Sequence, residues 1–221
     1  MTGMTVAEEP RRLRADAARN RQSLIDAAQR LFAARGLSVT LDDIAAAAGV
    51  NVATAYRHFA NKHELAAAYI QQQIDTAIAI ADESAEVEDP WVGLTQFFRR
   101  TLDLMIANRG LHDVFMPGLG SEWFVRLEER IRPVLSGLLA RCQRAGAVRA
   151  DLEQADIGVV VQMLAAVSDI PSPDPNALVG RYLALVLAGL RPATERLPGS
   201  PPSEEELRAA HTAIPARPHR T

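Results

Sequence analysis

Nine residues in the first third of the chain concentrate groups that can grip a polyanion. From Asn51 to Phe59 the order is Asn-Val-Ala-Thr-Ala-Tyr-Arg-His-Phe, and Lys62, the only lysine among 221 residues, follows shortly after. The hydroxyls of Thr54 and Tyr56 can donate to phosphate oxygens. Lys62 falls where a new helix should begin, and the unpaired backbone N–H groups there also favour phosphate. Arg57 can reach a phosphate or a guanine edge. Asn51 carries the one amide on this stretch able to bond adenine through both its oxygen and its nitrogen. Val52 and Ala53 offer only apolar contact, for instance to thymine methyls. Asp42, slightly upstream, has the wrong charge for phosphate and serves better as an acid stabilising a helix start.

Positioning these groups takes short helices. The pattern predicts a first helix from about Ala17 to Ala34, with Leu24, Ala27, Ala28, Leu31 and Phe32 at helical spacing and Gly36 as its stop. Thr40 and Asp43 have capping-box spacing and should open a second, short helix whose inner face is Leu41, Ile44, Ala45 and Ala48. Gly49 should break it. A third helix is expected from Val52 to Phe59 with Asn51 as cap, and Asn61 with Glu64 should open a long fourth helix toward Ser84. Two short helices about a glycine, packed on an earlier one, have the form of a helix-turn-helix. Its second helix must present small or polar residues if the backbone is to enter a major groove about 12 Å wide. Asn51 to Thr54 meet that need, while Val50, Ala55 and Phe59 should face inward.

Other readings of the same residues compete. Phe59 is best explained as core, and Tyr56 as serving both packing and contact. His58 and His63 lie on different predicted helices without a carboxylate or thiol at ligand spacing, so no metal is expected, nor any cofactor. Residues 1–15 read as a disordered basic arm. The arginines from Arg11 to Arg21 suit either an arm on nucleic acid or a solvated helix face.

The segment from Gly49 to Lys62 closely resembles the TetR-family signature: a Gly-Val turn, Thr-x-Tyr-x-His-Phe, then a polar residue and lysine. Leu31-Phe32-Ala33-Ala34-Arg35-Gly36 and Thr40–Ala48 resemble the same family, so the likeness covers about residues 15–70. It implies an all-α protein, with an N-terminal helix-turn-helix domain over residues 16–64 and a larger helical ligand-binding and dimerisation domain over residues 65–191. It implies that Thr54, Tyr56, His58 and Lys62 meet phosphates and that Val52 and Ala53 lie against bases. Thr40, Asn51 and Arg57 complete the expected DNA-binding set. The function implied is a ligand-responsive dimeric transcriptional regulator: a repressor released from a palindromic operator by a small-molecule effector. An activator on the same fold, or a ligand-binding module that no longer binds DNA, is the alternative.

Downstream, helices are expected from Pro90 to about Asn108, from Ser121 to Gly146 with a kink or division at Pro133, over Glu153–Ser168, and over Asn176–Leu190. Residues 192–221 read as a flexible tail, with a short helix conceivable at 204–213. The stretches Arg141–Leu152 and Arg181–Leu190 resemble an SbtR-like C-terminal type. Candidate pocket residues are Phe97, Phe98, Met105, His112, Phe115, Met116, Trp123, Phe124 and Met163, although aromatics and methionines at helical spacing also simply build cores. Ile157, Val160, Val161, Leu164, Leu183, Val186 and Leu187 are the expected dimer face.

Bulk properties agree with this class. Hydrophobic residues make up 48% and aromatics only 5%, which favours helices over sheet. Residues 1–65 hold nine Arg/Lys against seven Asp/Glu, a surplus of +2, while the rest of the chain is at −5. DNA contact would therefore rest on local geometry rather than on a strong basic patch. The lone cysteine, Cys142, excludes a disulfide framework and is expected to be a buried small hydrophobe rather than a redox sensor. No signal peptide, membrane span, nucleophile elbow, phosphate loop or paired-ligand metal motif is recognisable, so the expectation is a cytoplasmic protein that is not an enzyme.

Overall fold

The first helix, α1, spans Glu8–Arg35 in the computed structural model, which describes residues 8–35, 38–107, 122–168, 170–203, 205, 206 and 209. It begins earlier than the apolar periodicity indicates, so the expected disordered arm is helical from Glu8 onward. Two features of the sequence allow this. Acids at 8 and 9 suit the positive end of a helix dipole, and Pro10 falls in the first turn, where a missing N–H costs no bond. The apolar stripe marks only the part of α1 that packs.

Helices α2 (Leu41–Ala48) and α3 (Val52–His58) pack on α1 and on each other, and α4 (Lys62–Glu86) follows. Leu24, Ile25, Ala28, Phe32, Val39, Ile44, Ala55, Phe59, Leu65 and Tyr69 are buried. The described residues up to Gln72 form one compact unit, and those from Gln73 onward form a second. Helix α4 therefore begins in the first and ends in the second. No helix among the described residues is long and apolar enough to cross a membrane.

The second unit holds the rest of α4 with α5 (Pro90–Ala107), α6 (Glu122–Arg144), α7 (Gln154–Val167) and α8 (Pro175–Gly189). Its core is one cluster that includes Ile80, Leu94, Phe97, Phe98, Leu102, Leu138, Cys142, Ile157, Leu164, Val179 and Leu183. Asp89 Oδ1 caps α5, accepting from the N–H groups of Trp91 at 2.8 Å and Val92 at 3.2 Å. Gly93 lets α5 approach α4: a Cβ there would lie far inside contact distance of the Ser84 carbonyl oxygen. Arg141 on α6 donates to the Ala85 carbonyl, to Val87 O at 2.8 Å and to Glu88 O at 3.0 Å, satisfying carbonyls left open where α4 ends.

Three expectations for this unit need correction. Helix α6 is a single element through Pro133, so of the kink or division expected there the division does not occur; the proline is exposed, where its ring meets solvent rather than core. Ile157, Leu164, Leu183 and Leu187 are buried within the unit itself, and Val160, Val161 and Val186 are half-buried against its core. The exposed apolar side chains of this region are instead Met163, Ile170, Tyr182 and Leu185. The start of the tail is also tied down. Arg149 forms a two-bond pair with Asp151 at 2.7 and 3.1 Å and donates to Glu195 O at 2.8 Å, while Asp151 Oδ2 also accepts Leu197 N–H at 2.7 Å. Arg191 stacks over Trp91, 3.7 Å from the ring centroid.

Candidate nucleic-acid interface

Local capping chemistry builds the site. Thr40 precedes α2 and forms a complete capping box with Asp43: Thr40 Oγ1 accepts Asp43 N–H at 3.1 Å, and Asp43 Oδ2 accepts Thr40 N–H at 3.0 Å and the Thr40 hydroxyl at 2.8 Å. These bonds, with Arg35 nearby, hold the Asp43 carboxyl below its usual range. Gly49 ends α2 at φ 66°, the left-handed region that a Cβ disfavours. Two residues later Asn51 starts α3, its Oδ1 accepting Ala53 N–H at 2.9 Å. The turn between the two helices is thus specified residue by residue.

Helix α3 presents the expected groups. Asn51, Val52, Ala53, Tyr56 and Arg57 are exposed, with Val52 at 41% and Tyr56 at 52%, whereas Ala55 and Phe59 are buried. An exposed valine beside an exposed tyrosine has no packing reason on a helix this short, and suits contact with bases and phosphates. Thr54 and His58 are half-buried between the two faces. Arg57 donates to Thr54 Oγ1 at 2.8 Å, so two expected contact groups orient each other. Lys62 opens α4, where Asn61 Oδ1 accepts from His63 and Glu64 at 2.9 and 3.0 Å and Glu64 reaches back to Ala60 N–H at 2.6 Å.

Two interactions escape sequence reasoning, Tyr56 with Asp42 and Arg21 with Phe59, and the Asn51 cap that it does expect limits a contact that it also expects. The Tyr56 hydroxyl hydrogen-bonds to Asp42, whose negative charge pushes the phenol above its ordinary pKa. A carboxylate can only accept, so Tyr56 is the donor. Asn51 Oδ1 is committed to its cap, so a bidentate adenine contact would compete with the start of the helix; its NH₂ remains able to donate. Arg21 on α1 lies over the Phe59 ring, 5.2 Å from the centroid.

Of the nine expected ligand-pocket residues, four have described side chains: Phe97, Phe98, Met105 and Met163. Phe97 and Phe98 meet edge to face, with centroids 5.9 Å apart, in the core of the second unit. Met105 is half-buried and Met163 is 58% exposed on α7. His112, Phe115 and Met116 lie outside the described residues, as do the side chains of Trp123 and Phe124. A cleft of about 280 Å³ instead runs between α5 and α8, with Leu102, Ile106, Val179, Leu183 and Leu187 along it and Arg99, Asp103 and Asn176 as its polar groups. Leu183 and Leu187 read from sequence as part of the dimer face, and Leu102 lies in an unremarkable helical period, so no signal in the sequence points to this cleft. Cys142 is buried, bonds to Pro90 O at 3.1 Å and has its thiol pushed up to about 11 by burial, the state of an unreactive core cysteine.

Comparison with known proteins bears on both units. A family model described as "Bacterial regulatory proteins, tetR family" matches residues 24–69, and one for the C-terminal domain of SbtR-like transcriptional regulators matches residues 89–192. The chain is similar to the solved TetR transcription regulatory protein of Mycobacterium vanbaalenii, at 34% identity over 81% of this chain and 99% of that one, with a TM-score of 0.62. It is also similar to the regulator SCO0520 of Streptomyces coelicolor, at 28% identity over 79% and 99% of the two chains, with a TM-score of 0.63. With the HTH-type transcriptional regulator TtgR of Pseudomonas putida it shares 41% identity over 83 residues, 36% of this chain and 40% of that protein. The chain thus spans between 40% and 58% of the length of the curated relatives it matches.

Proposed function

The chain belongs to the TetR family of transcriptional regulators with a DNA-binding helix-turn-helix, and from that premise we propose that it acts as a homodimeric repressor released from a palindromic operator by a small molecule. The observation that carries this reading is α3 itself, a capped helix whose exposed face is Asn51, Val52, Ala53, Tyr56 and Arg57. Thr40, Thr54, Tyr56, His58 and Lys62 grip phosphates and set register. Val52 and Ala53 lie against base edges, Asn51 donates from its amide nitrogen, and Arg57 reaches a guanine or a phosphate.

A two-fold dimer places two copies of α3 about one helical turn of DNA apart, roughly 34 Å. Met163, Ile170, Tyr182 and Leu185, all exposed, are the side chains we assign to the dimer face, since apolar groups of that size gain most from being covered. The effector occupies the second unit, for which the cleft between α5 and α8 is the candidate: its lining is mostly apolar with a few polar groups, as small-molecule sites are. Helix α4, shared by both units, is the coupling element, and about 1–3 kcal/mol of coupling suffices for a switch. A regulator of this kind works in the cytoplasm beside its DNA.

Footprinting of the dimer on the DNA upstream of its own gene tests the reading. Protection of one two-fold site, lost on adding small molecules identified by native mass spectrometry of the purified protein, is the expected result. Failure to protect any two-fold site at low salt would sink it.

A further inference from the structure

The cleft between α5 and α8 has a rim whose charges select among ligands. Leu102, Val179 and Leu183 line it and are buried, whereas Arg99, Asp103 and Asn176 line it and are exposed. Among the described residues no hydrogen bond or ion pair engages any of these three polar side chains. Arg99 and Asp103 stand one helical turn apart, with Cβ atoms about 6 Å from each other. Their order, cation before anion along the chain, is the weaker one for pairing on a helix, and they do not pair. A charged rim often does no more than stay solvated, but this one borders an apolar floor that is open to a ligand.

Small residues on α8 keep the space clear. A Cβ added at Gly180 meets nothing within 4 Å. Around α8, Gly180 stands roughly 160° from Tyr182 and roughly 140° from Leu185, so the cleft and the dimer face assigned above occupy opposite flanks. The floor from Val179 to Leu187 runs about 12 Å along the helix. With a volume of about 280 Å³, it suits a short alkyl chain or a single ring. The rim then decides the head group. A lone carboxylate on the Arg99 fork would lie close to the Asp103 carboxylate, and a lone ammonium on Asp103 would face Arg99, so each simple ion meets a repulsion. A neutral amide meets none, but gains no charge-assisted bond. A head carrying both charges satisfies both side chains.

We propose that the effector of this cleft is a small zwitterionic amphiphile with an amino-acid-like head. Its carboxylate sits on Arg99, its ammonium on Asp103, and its apolar body lies along Leu102, Val179 and Leu183, with the Asn176 amide free to bond the head. This ligand class rests on the reading of the cleft as the effector site, so the test must separate the two.

Isothermal titration of the full-length protein at neutral pH compares probes that share one apolar chain: α-aminooctanoate, octanoate, octylamine and octanamide. The zwitterion should bind about ten-fold more tightly than each of the others. Arg99→Gln should erase that preference and favour octylamine, whereas Asp103→Asn should erase it and favour octanoate. Loss of fold would not give such a crossover. If another probe binds wild type as well as the zwitterion does, or if none of them binds, the ligand class is overturned. Gly180→Leu tests the cleft itself, since its side chain grows into open space there. That variant should no longer release operator DNA in response to the small molecule that copurifies with wild type. A blocked release leaves the cleft reading standing whatever the probes show, and a release equal to that of wild type sinks the cleft and the ligand class together.

Discussion

The unit up to Gln72 and the unit from Gln73 onward are both helical, yet they specify their shapes over different distances. In the first, boundary-setting groups find partners within four residues: Thr40 with Asp43, Asn51 with Ala53, Asn61 with Glu64, and Glu64 with Ala60. In the second, decisive contacts leap along the chain: Arg141 to the end of α4, Cys142 to Pro90, Arg149 to Glu195, Asp151 to Leu197. Local grammar builds a surface that can be shared among relatives.

The largest effect that could break this contrast concerns two glycines of the second unit. Gly93→Ala should cost several kcal/mol, on the order of 3, because the new methyl meets a backbone oxygen rather than a side chain that could move. Gly137→Ala, on α6 with nothing within 4 Å of the added carbon, should stabilise by about 0.5–1 kcal/mol. Urea titration of both variants reads the difference. Equal effects would show that packing between α4 and α5 is looser than described, and the contrast between units would weaken.

That pair also shows where legibility ends. Both glycines fall inside apolar helical patterns, and nothing in their neighbours tells which one touches another helix. The same holds for the dimer face: Ile157, Leu164, Leu183 and Leu187 read from sequence as a surplus stripe, but α5 and α6 come back to cover it. The tail reads as loose because its composition is polar and proline-rich, whereas its anchor, the Arg149–Asp151 pair, lies more than forty residues earlier. In the first unit the caps, the Gly49 turn, the buried Phe59 and the outward face of α3 are all legible, since each depends on neighbours in sequence. What stays hidden there is again non-local: Arg21 over Phe59, and Asp42 against Tyr56.

A second, smaller effect sharpens the comparison from the other side. Tyr56→Ala should weaken operator binding about ten-fold while moving the melting temperature little, since the ring is half exposed and α3 keeps its cap. Calorimetry beside gel-shift separates the two readouts. A large fall in melting temperature would mean that the presented face also holds the unit together.

The tail offers a pH test of the long-range type. The Arg149 fork and the Leu197 N–H hold the Asp151 carboxyl well below the usual carboxylate range. A lowered folded pKa means that the clamp's stabilisation is fully present above the unfolded value, near 3.9, and fades only as pH falls through the folded one. Limited proteolysis around residues 197–203 should therefore be unchanged between pH 7 and pH 5. Arg149→Gln should open those sites at both values. Cleavage that already rises at pH 5 in wild type would show that the tail is held by something else.

The smallest expected effect lies at Asp42, where a non-local contact enters the locally written unit. Its carboxylate accepts the Tyr56 hydroxyl hydrogen bond, the one that a phosphate would need. It also brings negative charge close to where DNA phosphates would sit. Against this, as an acid in the first turn of α2, Asp42 suits the helix dipole. Asp42→Asn keeps the shape, can still accept from Tyr56, and removes the charge. Operator affinity should rise a few-fold, with a steeper salt dependence and a slight loss of thermal stability. The tyrosine should titrate closer to its ordinary range, because the raising charge is gone, which ultraviolet absorbance can follow. If affinity instead falls, the carboxylate is holding Tyr56 in its contact geometry rather than competing for its proton. The first unit would then depend on a contact across two helices as much as the second does.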